Sequence, residues 1–210
     1  MSDVQPDSAQ TQSLLEQAQT GDRQAFEELF ARHRPYLKQL VELRLDPKLR
    51  PRVDPSDVVQ EAYLEAFRRL STYLHERPMP FRLWLRQIAY DRTLKAWRHH
   101  LGTARRAAGR EVPLPQRSSL VLAQQLLAGG STPRQSLDRR ELAQRLRQAI
   151  AQLPQTDREV ILMRHFEGLS NPEIGCLLGI DPATVSARHG RAILRLHRIL
   201  FASGLTESQL

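Results

Sequence analysis

Four arginines, Arg188, Arg191, Arg195 and Arg198, stand three or four residues apart near the end of the chain. That spacing stacks them along one side of a helix. No aspartate or glutamate occurs from Pro182 through Thr206, so nothing close in sequence neutralises them. Guanidinium forks match phosphate oxygens and guanine edges. The chemistry to expect is recognition of a polyanion, not bond making.

The segments around the stripe specify how it is held. Asn171 followed by Pro172 is expected to cap and open a short helix with Ile174, Leu177 and Leu178 on its apolar side. Gly179 supplies a left-handed residue to end it. Asp181-Pro182 then starts a longer helix to about Leu200, which turns Val185, Ala192, Leu196 and Leu200 toward the protein. Two short helices joined by a tight turn, the second basic, have the layout of a DNA-reading helix-turn-helix. A helix as short as the first must pack on others to persist.

The 210 residues suit one or two domains. The formal charge of +8 fits a polyanionic partner, and of 31 basic residues only Lys38, Lys48 and Lys95 are lysine. The lone Cys176 cannot form an internal disulfide and reads as packing, and no Cys/His set has zinc spacing. The start of the chain is polar and acidic, unlike a signal peptide, and Leu120–Ala128 is too short to span a bilayer. A cytoplasmic protein without cofactor, metal or small-molecule substrate is expected.

Helical periodicity dominates, which predicts an all-α fold of two small domains on a flexible linker. Residues 1–12 are expected to be frayed. The first domain is placed at 13–100, the linker at 101–136, the second domain at 137–202 and a tail at 203–210. In the first domain Phe26, Leu29, Phe30, Leu37, Leu40, Val41 and Leu43 mark one or two helices, interrupted by Pro35. Asp54-Pro55 starts another, with Val59, Ala62, Tyr63, Ala66, Phe67 and Leu70 as its stripe, broken by a segment at Ser71–Pro80. A further helix begins near Phe81. The linker is rich in Gly, Pro and Ser, with a helical turn or two expected around Leu120–Leu127. In the second domain Thr156 and Glu159 are expected to form a capping box.

The helix from Phe81 carries a second basic surface. From Arg82 to Arg110 eight lysines or arginines face a single acid, Asp91, with Trp84, Tyr90 and Trp97 interleaved. Aromatic faces can stack on unpaired bases at about 1–3 kcal/mol each, though Trp84 is expected to lie partly in the core. The proline-bounded segment with Tyr73, His75 and Arg77 is the better candidate to meet an extruded base.

Taken together, these strings resemble the bacterial sigma factors of the compact extracytoplasmic-function (ECF) type, which direct RNA polymerase to promoters. Asp54-Pro-Ser-Asp57-Val-Val-Gln60-Glu61 is similar to the family's region 2.2 helix. Phe81-Arg-Leu-Trp84-Leu-Arg86-Gln87-Ile88-Ala89 is similar to the regions that melt and read the −10 element. Leu153 through Arg164 and Leu169 to Leu196 resemble region 4, whose second helix reads the −35 element. The three occur in order, without an extra region between them.

The resemblance implies a promoter-specificity subunit with no catalytic chemistry of its own. Its implied partners are core RNA polymerase, through the β′ and β subunits, and promoter DNA, with an anti-sigma protein left open. Asp54, Asp57, Gln60 and Glu61 would dock on polymerase. Thr184, Ser186, Ala187, Arg188, Gly190, Arg191 and Arg195 would form the −35 surface, with Arg191 on guanine and Arg188 or Arg195 on phosphate. Tyr73, His75, Arg77, Arg82, Arg86, Gln87 and Tyr90 would form the −10 surface. Departures from the family are Gly175 in place of a usual Ala, which predicts a looser first helix, and His189 in place of an aliphatic residue. Ala187 and Gly190 are small where reading side chains often stand, so thymine methyls or DNA shape carry more of the readout. Two other function classes make different demands on the chain. An autonomous dimeric helix-turn-helix regulator would need a self-association surface and no Asp57/Gln60/Glu61 face. A DNA-processing enzyme would need a nucleophile or carboxylate cluster, and none stands out.

Overall fold

The computed structural model describes residues 4, 6–45, 49–101 and 139–202. The expected tail at 203–210 and nearly all of the expected linker, including the turns around Leu120, lie outside the described residues. So does the basic run beyond Leu101. The chain divides into two compact units. Among the described residues all regular structure is helical.

The first unit holds α1 (Ala9–Gln19), α2 (Arg23–Arg44), α3 (Pro55–Glu76) and α4 (Phe81–Leu101). Helix α1 begins inside the stretch expected to be frayed. Ser8 caps it by accepting the Thr11 N–H at 3.2 Å, and Thr11, Leu14 and Leu15 are buried. Asp22 caps α2 through the N–H groups of Gln24 and Ala25. That helix runs straight through Pro35 as one element, where an interruption was expected. Proline in a helix interior costs about 3 kcal/mol. Against it, Leu37, Leu40 and Val41 are buried on the same side as Phe26, Leu29 and Phe30. Each such burial contributes roughly 1.5–3 kcal/mol, so continuing the helix wins.

Asp54 accepts the Ser56 N–H at 2.7 Å and Pro55 takes the first turn, which starts α3 as expected. Its helical period continues to Glu76, six residues into the segment expected to break it, because Tyr73 and Leu74 are buried in the core. Phe67 is 42% exposed at the edge of the expected apolar stripe, with the Arg23 guanidinium over its ring. Helices α2, α3 and α4 pack on one another, and α1 lies against α2 and α3. Glu65 of α3 joins Arg92 of α4 at 2.7 Å and Arg69 of its own helix at 2.6 Å.

The second unit holds α5 (Arg139–Gln152), α6 (Gln155–His165), α7 (Asn171–Leu178) and α8 (Pro182–Ala202). Helix α8 is the spine, packing on α5, α6 and α7. Its Val185, Ala192, Leu196 and Leu200 are buried as the periodicity required. The Thr156/Glu159 capping box does not form. Helix α6 already starts at Gln155, after Pro154, with no side-chain cap. The Pro154 carbonyl accepts from the N–H groups of Asp157 and Arg158, and Arg158 in turn donates from Nε to Ile150 O at 3.2 Å and from Nη2 to Leu153 O at 3.0 Å. The arginine clamps the end of α5 and leaves Thr156 inside the helix.

Candidate nucleic-acid interface

Helices α7 and α8 meet across a three-residue turn with two defined ends. At the start of α7 the cap is Ser170, not Asn171. Ser170 N–H donates to Glu173 Oε2 at 2.8 Å and Glu173 N–H donates to Ser170 Oγ, a reciprocal capping box. Pro172 therefore sits one position further in than expected. Gly179 ends α7 in the left-handed region at φ 65°, as expected. Asp181 caps α8, accepting the Thr184 N–H at 2.8 Å and the Thr184 hydroxyl. Those bonds hold its carboxyl below the usual carboxylate range. They also turn the Thr184 hydroxyl back onto its own helix start.

Gly175 does not loosen α7. A Cβ at this position would lie 2.6 Å from the Ile180 carbonyl oxygen, so its hydrogen side lets the turn fold down onto the helix. The Gly175 carbonyl accepts from the N–H groups of Gly179 and Ile180. The substitution that suggested slack is what closes the motif.

Of the residues expected on the α8 surface, Ser186, Ala187, Gly190 and Arg191 are exposed and share one side. Leu194 continues that side at 60% exposure, where the helical period, opposite Val185, Ala192 and Leu196, puts it. Arg188 is half-buried. Arg195 is committed elsewhere: its Nη1 pairs with Asp157 Oδ2 on α6, and the Asp157 side chain is 6% exposed. The stripe thus has an acidic partner after all, 38 residues back in the chain, and Arg195 ties α8 to α6 before it can serve a phosphate.

His189 meets His165 of α6 with Nε2 atoms 2.8 Å apart. Their ring centroids are 5.1 Å apart, no more than that contact plus a ring radius at either end, so the imidazoles meet edge to edge through one hydrogen bond. Burial, the neighbouring His189 and Arg164 hold His165 down at about 4, so the pair is neutral. Cys176 is half-buried, and burial pushes its thiol up.

In the first unit the expected −10 residues separate into two sets. His75, Arg77 and Gln87 are exposed. Tyr73 is buried, stacked on Trp84 at 4.4 Å, with its hydroxyl donating to Met79 O at 3.1 Å, so it is core and not a platform for a base. Arg86 is also buried, its guanidinium 5.0 Å from the Tyr90 ring centre. Arg44 approaches the same half-buried ring at 5.3 Å, and Arg82 lies over Tyr36. These cations and rings hold the helices together and present only part of themselves outward. Trp84 is half-buried beside the core, as expected.

On α3, Asp57, Gln60 and Glu61 are exposed together. Leu64 extends the same side by one turn and is 46% exposed. Asp54 is exposed but already engaged as the cap, which holds its carboxyl below the usual range. Among the described residues no group of three or more His, Cys, Asp or Glu could hold a metal ion. No described helix is long and apolar enough to cross a membrane.

Comparison with known proteins agrees with this division. The family model for Sigma-70 region 2 matches residues 29–102, and that for Sigma-70 region 4 matches residues 143–196. The RNA polymerase sigma factor CnrH of Cupriavidus metallidurans is 30% identical over 189 residues, covering 90% of this chain and 93% of that protein. The ECF RNA polymerase sigma-E factor of Escherichia coli is 30% identical over 186 residues, covering 86% and 89%. The structure of CnrH in complex with the cytosolic domain of CnrY superposes with a TM-score of 0.58 at 26% identity, covering 92% of this chain and 99% of that one.

Proposed function

Because this chain belongs to the extracytoplasmic-function sigma factors, which bind RNA polymerase and direct it to promoters, we propose how its surfaces divide that work. Helix α8 reads the −35 element in the major groove through Ser186, Ala187, Gly190 and Arg191. Arg191 takes a guanine edge, the small residues let the helix sit deep, and Arg188 reaches phosphate. The observation that carries this is the uncovered side of α8, where all four residues are exposed while the opposite side is fully packed.

His75 in the last turn of α3, Arg77 in the turn that follows and Gln87 on α4 face the −10 element. The exposed side of α3, Asp57, Gln60, Glu61 and Leu64, docks on the β′ subunit by two carboxylates around an apolar contact. The catalytic steps of transcription stay with the polymerase, in the cytoplasm. CnrH is seen in complex with the cytosolic domain of CnrY, and a protein partner of this chain, of the anti-sigma class that the family resemblance leaves open, is a further part of the proposal.

A photo-reactive amino acid at one position at a time tests the assignment in complexes with core polymerase and promoter. At position 64 it should join β′, at position 186 the −35 duplex, and at position 75 the unpaired strand of the −10 element. A cross-link from position 64 to DNA, or from position 186 to polymerase alone, would overturn the corresponding surface.

A further inference from the structure

The turn between α3 and α4 is held from several directions, and one holding group comes from far outside it. Tyr73 O–H donates to Met79 O at 3.1 Å, and Arg77 N–H donates to Tyr73 O at 2.8 Å. Phe81 N–H donates to both carboxylate oxygens of Asp7, at 3.0 Å each. Asp7 stands 74 residues earlier in the chain. It is fixed there by the Ser8 cap and the buried Thr11, Leu14 and Leu15 of α1.

The reason for a remote cap is local. Helix α4 opens with Pro80 at its cap position, and proline has no side-chain oxygen to accept an orphan N–H. The Pro80 carbonyl does accept from Leu83 N–H at 2.9 Å and Trp84 N–H at 3.1 Å, so the first turn hinges on this residue. A carboxylate is the favoured group there, because it meets the positive end of the helix dipole. Arg77, just before Pro78, is the one non-glycine residue among those described with positive φ, at 40°. A residue with a Cβ disfavours that region, and one preceding proline is pushed toward extended backbone. Such a conformation persists only where its surroundings over-determine it.

We propose that Asp7 is a positioning residue for promoter opening. By capping α4 across the fold it fixes the 77–80 turn, with His75 and Arg77 outward, in the form that meets the unpaired strand. The inference rests on the −10 assignment above. Without Asp7 the first turn of α4 frays, Trp84 loosens from Tyr73, and the strained Arg77 relaxes.

The experiment uses full-length protein with core polymerase and compares Asp7→Ala, Asp7→Asn and Asp7→Ser. Asp7→Ala should reduce the yield of competitor-resistant open complexes about five- to tenfold, the scale of one lost cap. Polymerase affinity and −35 duplex binding should stay unchanged; Asn, whose side-chain oxygen reaches as far as that of Asp, should restore opening, and Ser, one bond shorter, should not. Hydrogen exchange at the Phe81 amide should rise in Asp7→Ala and return with Asn. Unchanged opening in Asp7→Ala, or impairment in Asp7→Asn with normal exchange at Phe81, would overturn the role. His75→Ala with Arg77→Ala separates the premises: if that pair opens promoters normally, the −10 assignment itself fails. If the pair is impaired while Asp7→Ala is normal, only the role of Asp7 fails.

Discussion

Replacing Gly175 with alanine sets two forces against each other, and the structure says which is larger. In a solvated helix interior, Gly→Ala stabilises by about 1 kcal/mol. At Gly175 the added methyl would sit 2.6 Å from the Ile180 carbonyl oxygen, with Pro182 N and Asp181 C next nearest. All three are backbone atoms, so no side-chain rotation relieves the contact, and overpacking of this kind costs about 1–3 kcal/mol. The expected net is a loss of up to about 2 kcal/mol. For a domain of this size each kcal/mol moves Tm by about 4–8 °C. The displaced turn also carries the Asp181 cap of α8, so −35 duplex affinity should fall with it. Gly190→Ala is the matched control: it is in the interior of α8 with nothing within 4 Å of its would-be Cβ, and it should gain up to about 1 kcal/mol. Thermal unfolding of the two full-length variants decides the matter. A Tm rise in Gly175→Ala equal to that in Gly190→Ala would show that the turn does not close on the helix.

Three further outcomes are expected. Arg191→Ala should lose discrimination at one position of the −35 element by about 1–3 kcal/mol, read by competition binding with base-substituted duplexes. Asp57→Arg combined with Glu61→Arg should abolish co-purification with core polymerase while circular dichroism stays near wild type and Tm falls only modestly, since both residues are exposed and the cost is the first-turn charge of α3, about 0.3–1 kcal/mol. His165 titrates near 4 in the folded chain against 6.5 when free, so the unfolded chain takes up its proton first. Stability is therefore full above pH 6.5, declines as pH falls toward 4, and loses nothing more from this group below that. Because the ring is only half-buried the loss is on the order of 1 kcal/mol, and His165→Gln should remove this part of the pH slope in chemical denaturation.

What could be read in the residues was what lies within a few positions of itself. The Asp54 and Asp181 caps, the left-handed Gly179 and the buried side of α8 each depend on neighbours up to four residues away or on simple helical period. The uncovered side of α8 was legible for the same reason, since Ser186, Ala187, Gly190 and Arg191 share a side by spacing alone. The misplaced features are those decided at long range. Spacing offers Arg195, as it does Arg188, to phosphate, because the partner Asp157 is 38 residues away. The local pattern offers Tyr73 to an extruded base, but its ring belongs to a cluster completed by Phe81 and Trp84. Pro35 reads as an interruption because local strain is visible in sequence, whereas the burial that offsets it is not. The Asp7 cap and the His165–His189 contact had no local signal at all.

Runoff transcription with purified core polymerase on a pool of genomic fragments, with and without this protein, tests promoter-specific initiation most directly. Discrete new start sites, each preceded by the same two motifs at a fixed spacing, are the expected result. No stimulation of the polymerase, with specific binding of the protein alone to intact duplex, would contradict it and point to an autonomous regulator.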